Sequence, residues 1–487
     1  MTGKPNEYLD NFNPIVSLAK RRGFIFPASE IYGGVGSTWD YGPLGVELKR
    51  NVKESWWNSM VHSRDDIVGL DSAIIQNPKV WEASGHIDGF SDPLVECKNC
   101  HQRFRADHVD TEQCPSCGVK GQFTPPRQFN LMFRTQLGPV DVLNRISKFM
   151  EDNRDADSKD IREGVDNIVK KSAVYLRPET AQAMFVQFLN CQQSMSMKVP
   201  FGIAQMGKSF RNEVTVEHFI FRSCEFEQME MEFFVEPGSQ KEWLDYWRDR
   251  RMEWWQKLSN DPSKFRYRAH EKDELAHYAD ACYDIEYEYP WGFDELEGVA
   301  SRTDYDLKKH AEHSGAKLSY FDQQKQDPET GKNGWRYTPY VIEPAAGATR
   351  GLLVYLLDAY HEERVPDADG NESSRVVMKL HPRLAPIKVA VLPLSRNEKL
   401  VPKAREVHDI VKANFVSQYD DSQSIGRRYR RQDEIGTPLA VTIDFKTVEE
   451  DNSVTIRDRD SMVQDRVPIP SLLEALKDKI ENLSLGK

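Results

Sequence analysis

From Pro43 onward, Leu44, Leu48, Val52, Trp56 and Met60 recur at every fourth residue, with Trp57 beside them. That spacing puts large apolar groups on one stripe of a helix, and proline suits its first turn. Ile67–Ile75 then reads as a strand closed by Asn77-Pro78. Phe201 to Val235 has the pattern of a long β-hairpin, whose second arm alternates its side chains between two faces. Arg222, Cys224, Phe226, Gln228, Glu230 and Glu232 share one face; Phe221, Glu225, Glu227, Met229, Met231 and Phe233 share the other. Polar groups around a single ring suit the lining of a wet cleft, and an edge strand with a solvated face carries the same pattern. Tyr337–Ile342 predicts a strand that meets Glu343-Pro344, followed by a helix over about 349–362 with Leu352, Leu353, Leu356 and Leu357 on its buried stripe.

Residues 151–171 are charged and suit a solvated helix and loop, while 238–290, rich in charge, Trp and Tyr, give no functional reading. A boundary is expected at 364–385, where the sequence is loop-like. Beyond it strand and helix alternate. Ile387–Leu392, Leu439–Phe445 and Val454–Arg459 read as strands, and the segments around Val407–Phe415 and Leu472–Leu483 as helices. This predicts a compact α/β domain of about 100 residues.

Composition narrows the class. Of 487 residues, 65 are Lys or Arg and 77 are Asp or Glu, a net charge of −12; 39% are hydrophobic and 29% charged. These values suit a globular protein of two or three domains and exclude collagen-like, coiled-coil and wholly disordered chains. No apolar run approaches the ~18 residues that cross a bilayer. The first residues lack a basic-then-apolar leader, and Glu7 and Asp10 argue against a transit peptide, so the cytoplasm is the expected compartment. The acidic total argues against non-specific coating of nucleic acid, but local basic patches still act within ~10 Å.

Four of the seven cysteines form two pairs, Cys97-x2-Cys100 and Cys114-x2-Cys117. Two such knuckles can close a tetrahedral four-sulfur site for a structural Zn2+, and four sulfurs leave no open position for catalysis. Disulfides or buried thiols are the alternatives, the former disfavoured in a reducing compartment. Cys191, Cys224 and Cys282 stand alone and read as packing residues.

Arg211, at the end of the first hairpin arm, and Arg350, at a helix start beside Gly347, stand where a guanidinium can grip phosphate oxygens through paired hydrogen bonds. No G-x4-G-K-[ST] pattern is present, so a P-loop is not supported. Glu179, Glu230 and Glu343 accompany the arginines, but the sequence alone does not bring these three together.

Three segments resemble the signature motifs of class II aminoacyl-tRNA synthetases. The helix, strand and Pro78 resemble the first, Phe210-Arg211-Asn212-Glu213 with Phe221–Glu232 the second, and Ile342–Tyr355 the third. Trp39–Gly45, Asn77–His86, Arg177–Gln182 and Phe226–Glu230 are similar to the homodimeric glycyl type, and Asp433–Pro438 to the anticodon-binding domain of subclass IIa. The resemblance spans nearly the whole chain.

It implies an α+β fold: an antiparallel sheet with flanking helices over residues 1–380, a zinc-ribbon-like insertion at about 92–126, a second insertion at about 236–290, and an α/β anticodon-binding domain over 386–487. It implies ATP-dependent attachment of glycine to tRNA(Gly) through glycyl-adenylate by a homodimer, with Mg2+ as a cofactor. By motif match Arg211, Arg350 and Glu230 would be catalytic. Arg211 would hold the α-phosphate and Arg350 the γ-phosphate. Phe226 would stack on adenine, with Asn212, Glu213, Phe221, Arg222, Glu295, Leu296 and Gly347 shaping the ATP site and Glu295 contributing to Mg2+ binding. Glu179, Glu230 and Glu343 would surround the glycine ammonium, with Arg105, Phe226, Gln228, Arg302, Ala345 and Gly347 around them. Ala345 stands where the family usually has Ser, so it enters only as a pocket wall.

Glycine has no side chain to grasp, so recognition has to use its ammonium and exclude a Cβ. Carboxylates gathered for that purpose repel one another when empty, which predicts raised proton affinity in the free protein. Arg427, Arg428, Arg430 and Arg431 could meet tRNA phosphate or pair with Asp433 and Glu434.

Overall fold

The computed structural model describes residues 9–107, 109–139, 141–366 and 372–485. Its centre is a seven-stranded sheet built from β1 (Ile67–Gly69), β2 (Phe201–Phe210), β3 (Glu225–Val235), β4 (Phe265–Ala269), β5 (Ala281–Tyr289), β6 (Gly292–Thr303) and β7 (Tyr340–Gly347). The spatial order is β4-β5-β6-β7-β3-β2-β1, antiparallel throughout except for β1 against β2. The hairpin expected at 201–235 is β2 and β3, and β3 is an interior strand, not an edge. Its two faces therefore meet different surroundings: Met229, Met231 and Phe233 enter the main core, while Phe226, Gln228 and Glu230 line a cleft.

Helix α1 (Pro43–Trp57) lies behind the sheet, with Leu48, Val52 and Trp56 buried. On that side Glu227 accepts hydrogen bonds from Lys49 and Lys53, both at 2.5 Å, so its carboxylate is paired, and Glu225 on the same face pairs with Lys208. Helix α2 (Gln240–Lys257) buries Trp247 and Trp255 in the same core. Together with β4 and β5 it shows what the stretch expected as an insertion at about 236–290 contributes: a packing helix and two strands of the central sheet. Most of the Trp and Tyr residues of this stretch pack into the core, whereas Tyr267 is exposed and Tyr278, between β4 and β5, lines the cleft.

Several boundaries differ from expectation. The strand at 67–75 pairs only over Ile67–Gly69; the rest is loop, touched by a bridge between Ile75 and Leu176. Asn77 caps a short helix, Pro78–Ala83, by accepting from the Lys79 N–H. Residues 142–172 form two helices, Val142–Asp152 and Ser158–Ser172. Glu343 does not close a strand, because β7 runs on through Pro344 to Gly347. Proline has no N–H to donate, and the β3–β7 ladder is interrupted there between Glu230↔Ala345 and Phe233↔Ile342. The helix at 349–362 is α4 (Ala348–Ala359), after α3 (Tyr305–Ser314) in the chain, and it ends early because Tyr360–Pro366 pairs with Glu372–Met378 as a hairpin. That hairpin occupies part of the expected linker, of which 367–371 lie outside the described residues.

The C-terminal part has its own core and a five-stranded sheet, ordered Ser417–Tyr419, Val389–Pro393, Leu439–Ile443, Ser453–Asp458, Gln464–Pro468. The arginine run lies on a helix, Ile425–Ile435, and its partners differ from those expected. Arg428 is buried and donates to the carbonyls of Pro393, Asp421, Ser422 and Gln423, while Arg431 pairs with Asp420. Asp433 is bridged by Arg375 and Arg457, and Glu434 by Arg22. Only Arg427 of the four is exposed. Among the described residues no helix is long and apolar enough to cross a membrane.

Candidate active site

A cavity of about 350 Å³ opens on the sheet face opposite α1. Alternation decides its lining: β3 offers Phe226, Gln228 and Glu230, β7 offers Glu343, Ala345 and Gly347, and β6 offers Gly298, Ala300 and Arg302. Glu179 enters from the loop after Ala173–Tyr175. That loop is clamped by buried Arg177, which donates to Lys208 O at 2.7 Å and Ser72 O at 3.0 Å. The clamp requires Gly207 on β2, since a Cβ there would stand 2.1 Å from the Arg177 guanidinium.

One end of the cavity is acidic. Glu230 accepts from the Thr180 N–H at 2.9 Å and from the Thr180 hydroxyl and Gln228 amide. Glu179 accepts from Gln182 at 2.9 Å and lies 3.5 Å from His86 Nε2. Arg302 Nη1 reaches both Glu343 oxygens, at 2.9 and 3.0 Å, and the same guanidinium makes two bonds to Asp306, at 2.9 and 3.0 Å. The arginine is held flat against Tyr278, 3.9 Å from the ring centre.

These surroundings split the proton affinities. Burial, with the charges of Glu343 and Glu179, pushes Glu230 up to about 8. Burial also raises Glu343 despite Arg302. Burial opposes ionisation of Glu179 too, but His86, Arg302 and Gln182 outweigh it and hold that carboxyl well below the usual range. The sequence-based expectation of uniformly raised affinity therefore holds for Glu230 and Glu343 and fails for Glu179. The difference lies in the partners: Glu179 faces cations, Glu230 faces anions. Behind them Glu232, fully buried and with neither carboxylate oxygen hydrogen-bonded, is pushed far upward by burial and by Glu343.

The other end is basic and aromatic. Arg211 donates to Pro178 O at 3.1 Å and lies between Phe90 and Phe226, 5.3 Å from each ring centre. Arg350 donates to the carbonyls of Phe221 (3.3 Å) and Glu295 (3.1 Å), pairs with the Glu295 carboxylate at 3.1 Å, and stacks on Phe221 at 4.4 Å. Its ion pair with Arg350 keeps Glu295 ionised, with a lowered pKa. Glu213, Arg222 and Thr349 complete this wall, and burial raises the Glu213 pKa.

Fourteen sequence-predicted residues thus share one cavity: Glu179, Arg211, Glu213, Phe221, Arg222, Phe226, Gln228, Glu230, Glu295, Arg302, Glu343, Ala345, Gly347 and Arg350. Three do not line it. Leu296 sinks into the core because the β5–β6 register shifts beside it and turns only Glu295 to the cleft. Asn212 is half-buried and its N–H donates to Leu131 O at 2.8 Å. Arg105 lies on the ribbon strand Arg103–Arg105, held by Asp92 at 3.2 Å and Asp107 at 2.7 Å. Sequence reasoning missed Thr180, Gln182, His86 and Asp306, which hold the acidic groups in place. Thr180 and Gln182 stand in the quoted Arg177–Gln182 motif and His86 ends the quoted Asn77–His86 segment; Asp306 lies in none of them and reaches the site only through folding.

Cys97, Cys100, Cys114 and Cys117 converge away from this cavity, with all four sulfurs within 4.8 Å of one another. The Cys97–Cys117 and Cys100–Cys114 Sγ distances are both 3.7 Å. A tetrahedral Zn2+ with ligands at about 2.3 Å would set sulfurs about 3.8 Å apart, so the donor set and spacing fit that ion.

Residues 166–360 match the model of the class II tRNA synthetase core domain (G, H, P, S and T), and 388–479 match that of an anticodon binding domain. The chain is 50% identical to the glycine–tRNA ligase of Treponema denticola over 473 residues, covering 96% of this chain and 97% of that one. It is also 50% identical to the glycine–tRNA ligases of Thermobifida fusca, covering 96% and 97%, and Streptomyces coelicolor, covering 95% and 97%. With the motif residues gathered in one cleft and the similarity running end to end, the chain belongs to the glycine–tRNA ligase family of class II aminoacyl-tRNA synthetases.

Proposed function

We propose that this chain joins glycine to ATP, giving glycyl-adenylate and pyrophosphate, and then passes the glycyl group to tRNA(Gly) with release of AMP. The observation that carries this reading is one cavity with guanidinium groups at one end and three carboxyls at the other. Glycine's carboxylate is already an anion, so the first step needs no general base. It needs the reactants held in line and charge on phosphorus offset. Arg211 would hold the α-phosphate and Arg350 the γ-phosphate, with adenine against Phe226. Mg2+ would supply further charge neutralisation when bound, and Glu295 would help to hold it. Glu179, Glu230 and Glu343 suit the ammonium, and the wall of Ala345, Gln228 and Tyr278 limits room for a Cβ.

Residues 1–380 would form the catalytic unit and 386–487 the anticodon-reading unit, with Arg427 the exposed arginine of its helix. The four-cysteine ribbon would hold a structural Zn2+. Chelating the metal, or replacing Cys114 with Ser, is expected to unfold the ribbon and loosen Arg105, read as new proteolytic cleavage between about 92 and 126 with the central core intact. A homodimer is the assembly, and the cytoplasm the compartment, that the family resemblance favours.

ATP–pyrophosphate exchange with each amino acid in turn tests the reading. Exchange with glycine alone is expected; exchange with none, or equally with alanine, would refute it. A second expectation concerns protons. Because Glu230 is raised to about 8, it is protonated in the free protein at neutral pH, and an arriving ammonium favours the carboxylate. Glycine binding at pH 7 should therefore release protons, seen by calorimetry as a binding heat that changes with the buffer's ionisation enthalpy. The stability contribution has a matching sign. A carboxyl raised in the fold adds most stability below its ordinary value of 4.5 and loses it as pH rises through about 8. Glu230→Gln should gain on wild type in thermal stability across that window.

A further inference from the structure

The cleft has a third wall that neither the triphosphate nor the ammonium uses. Immediately after β4, the His270 N–H donates to Cys282 O at 3.0 Å, which fixes the segment alongside β5. His270 Nε2 lies 2.7 Å from Asp284 Oδ2, and both residues line the cavity. Arg268 Nη1 reaches the same Asp284 oxygen at 3.3 Å and its other nitrogen binds Glu274, so the dyad is braced from two elements. With Nε2–H donating to Asp284, Nδ1 keeps its lone pair. His270 is the one histidine lining this cavity among the described residues.

The floor beside the dyad is nearly bare. Asp284 registers with Gly298, Gly298 with Ala345, and Ala345 with Glu230. Two inter-strand steps of about 4.8 Å therefore separate the Asp284 backbone from that of Ala345, with only glycine and alanine side chains between. Gly298, Ala345, His270 and Asp284 all line the one cavity, so a group lying over Ala345 has the imidazole wall beside it across Gly298. A ring nitrogen of His270, Cys282 Sγ and an Asp284 carboxylate oxygen lie within 4.8 Å of one another, a spacing that also suits a metal ion. However, Asp284 Oδ2 is already bonded by both His270 and Arg268, and the guanidinium repels a cation, so the arrangement favours a hydroxyl substrate.

We infer that His270, oriented by Asp284, accepts the hydroxyl proton of the terminal tRNA ribose during transfer; this rests on the function proposed above. The ribose oxygen bonds to the glycyl carbonyl carbon as its proton passes to His270 Nδ1. The bond from that carbon to the adenylate phosphate oxygen breaks, and AMP leaves with the electron pair. The imidazolium then returns its proton to solvent. Arg268, Glu274, Cys282 and Asp284 face the imidazole, and Glu295 and Tyr278 stand near them. A general base held in place is worth about 10²–10⁴ in rate.

Rapid quench after mixing preformed enzyme-bound glycyl-adenylate with tRNA(Gly) isolates this step. His270→Asn is expected to slow transfer by about 10²–10⁴-fold while glycine-dependent pyrophosphate exchange stays within a few-fold of wild type. Asp284→Asn should show the same split with a smaller loss. Unchanged transfer, an equal fall in exchange and transfer, or a rise in KM for tRNA at an unchanged maximal transfer rate would each overturn the inference. Absence of glycine exchange in the wild type would instead refute the function on which it rests.

Discussion

Replacing Arg211 with alanine is expected to cut glycyl-adenylate formation by about 10²–10³-fold with little change in folding. Among the described residues the guanidinium makes one hydrogen bond to protein, to Pro178 O, and otherwise rests between two aromatic faces. Its remaining donors are therefore available to a phosphate, and its removal costs the protein only the one bond to the buried Pro178 carbonyl. A lysine should recover little, because a point charge lacks the planar fork that grips two oxygens at once. Stopped reactions with labelled glycine and ATP measure the rate, and circular dichroism checks the fold. Adenylate formation at the wild-type rate in Arg211→Ala would remove this arginine from the chemistry.

Replacing Arg302 with alanine is expected to destabilise the catalytic unit by about 3–5 kcal/mol. This arginine is nearly fully buried and is shared by two carboxylates, with two hydrogen bonds to Asp306 and a third and fourth to Glu343. Its loss leaves both acids buried without a counter-charge, beside Glu232, which already lacks a partner. The surviving acids would take up protons, so the deficit should shrink as pH is lowered. Arg302→Ala combined with Glu343→Gln and Asp306→Asn should recover much of the lost stability, because the buried charges go together. Chemical denaturation at two pH values tests both points. A midpoint close to wild type in the single variant would mean that solvent, not Arg302, balances these acids.

Much of this site is written into local pattern. The alternation along 222–232 predicts which face of β3 meets the cleft, and the face assignment of Phe226, Gln228 and Glu230 agrees with the observed lining. The cysteine knuckles are equally local, since two residues between ligands suffice to turn the chain. The positions of Glu179 and Glu343 relative to Glu230 are not local. They depend on the order β6-β7-β3-β2 and on a loop clamped by Arg177, contacts set by tertiary packing across many residues.

Two misreadings have similar causes. Proline suggested a strand end at Glu343, but β7 tolerates Pro344 because its other edge is still paired, Val299 opposite Pro344. Leu296 seemed a cleft residue next to Glu295, but a register shift separates neighbours that strict alternation would place differently. The four arginines at 427–431 left phosphate contact and ion pairing with Asp433 and Glu434 both open. Helical geometry spreads them around the axis, so that Arg428 is buried as a staple for loop carbonyls and Arg427 stays exposed.

The most direct test is a crystal structure with a non-hydrolysable glycyl-adenylate analogue bound. Its ammonium should lie within hydrogen-bond reach of Glu179 and Glu230 or Glu343, its phosphate mimic against Arg211, and its adenine on Phe226. An analogue seated in another cavity, or bound here with its amine turned away from all three carboxyls, would contradict the assignment.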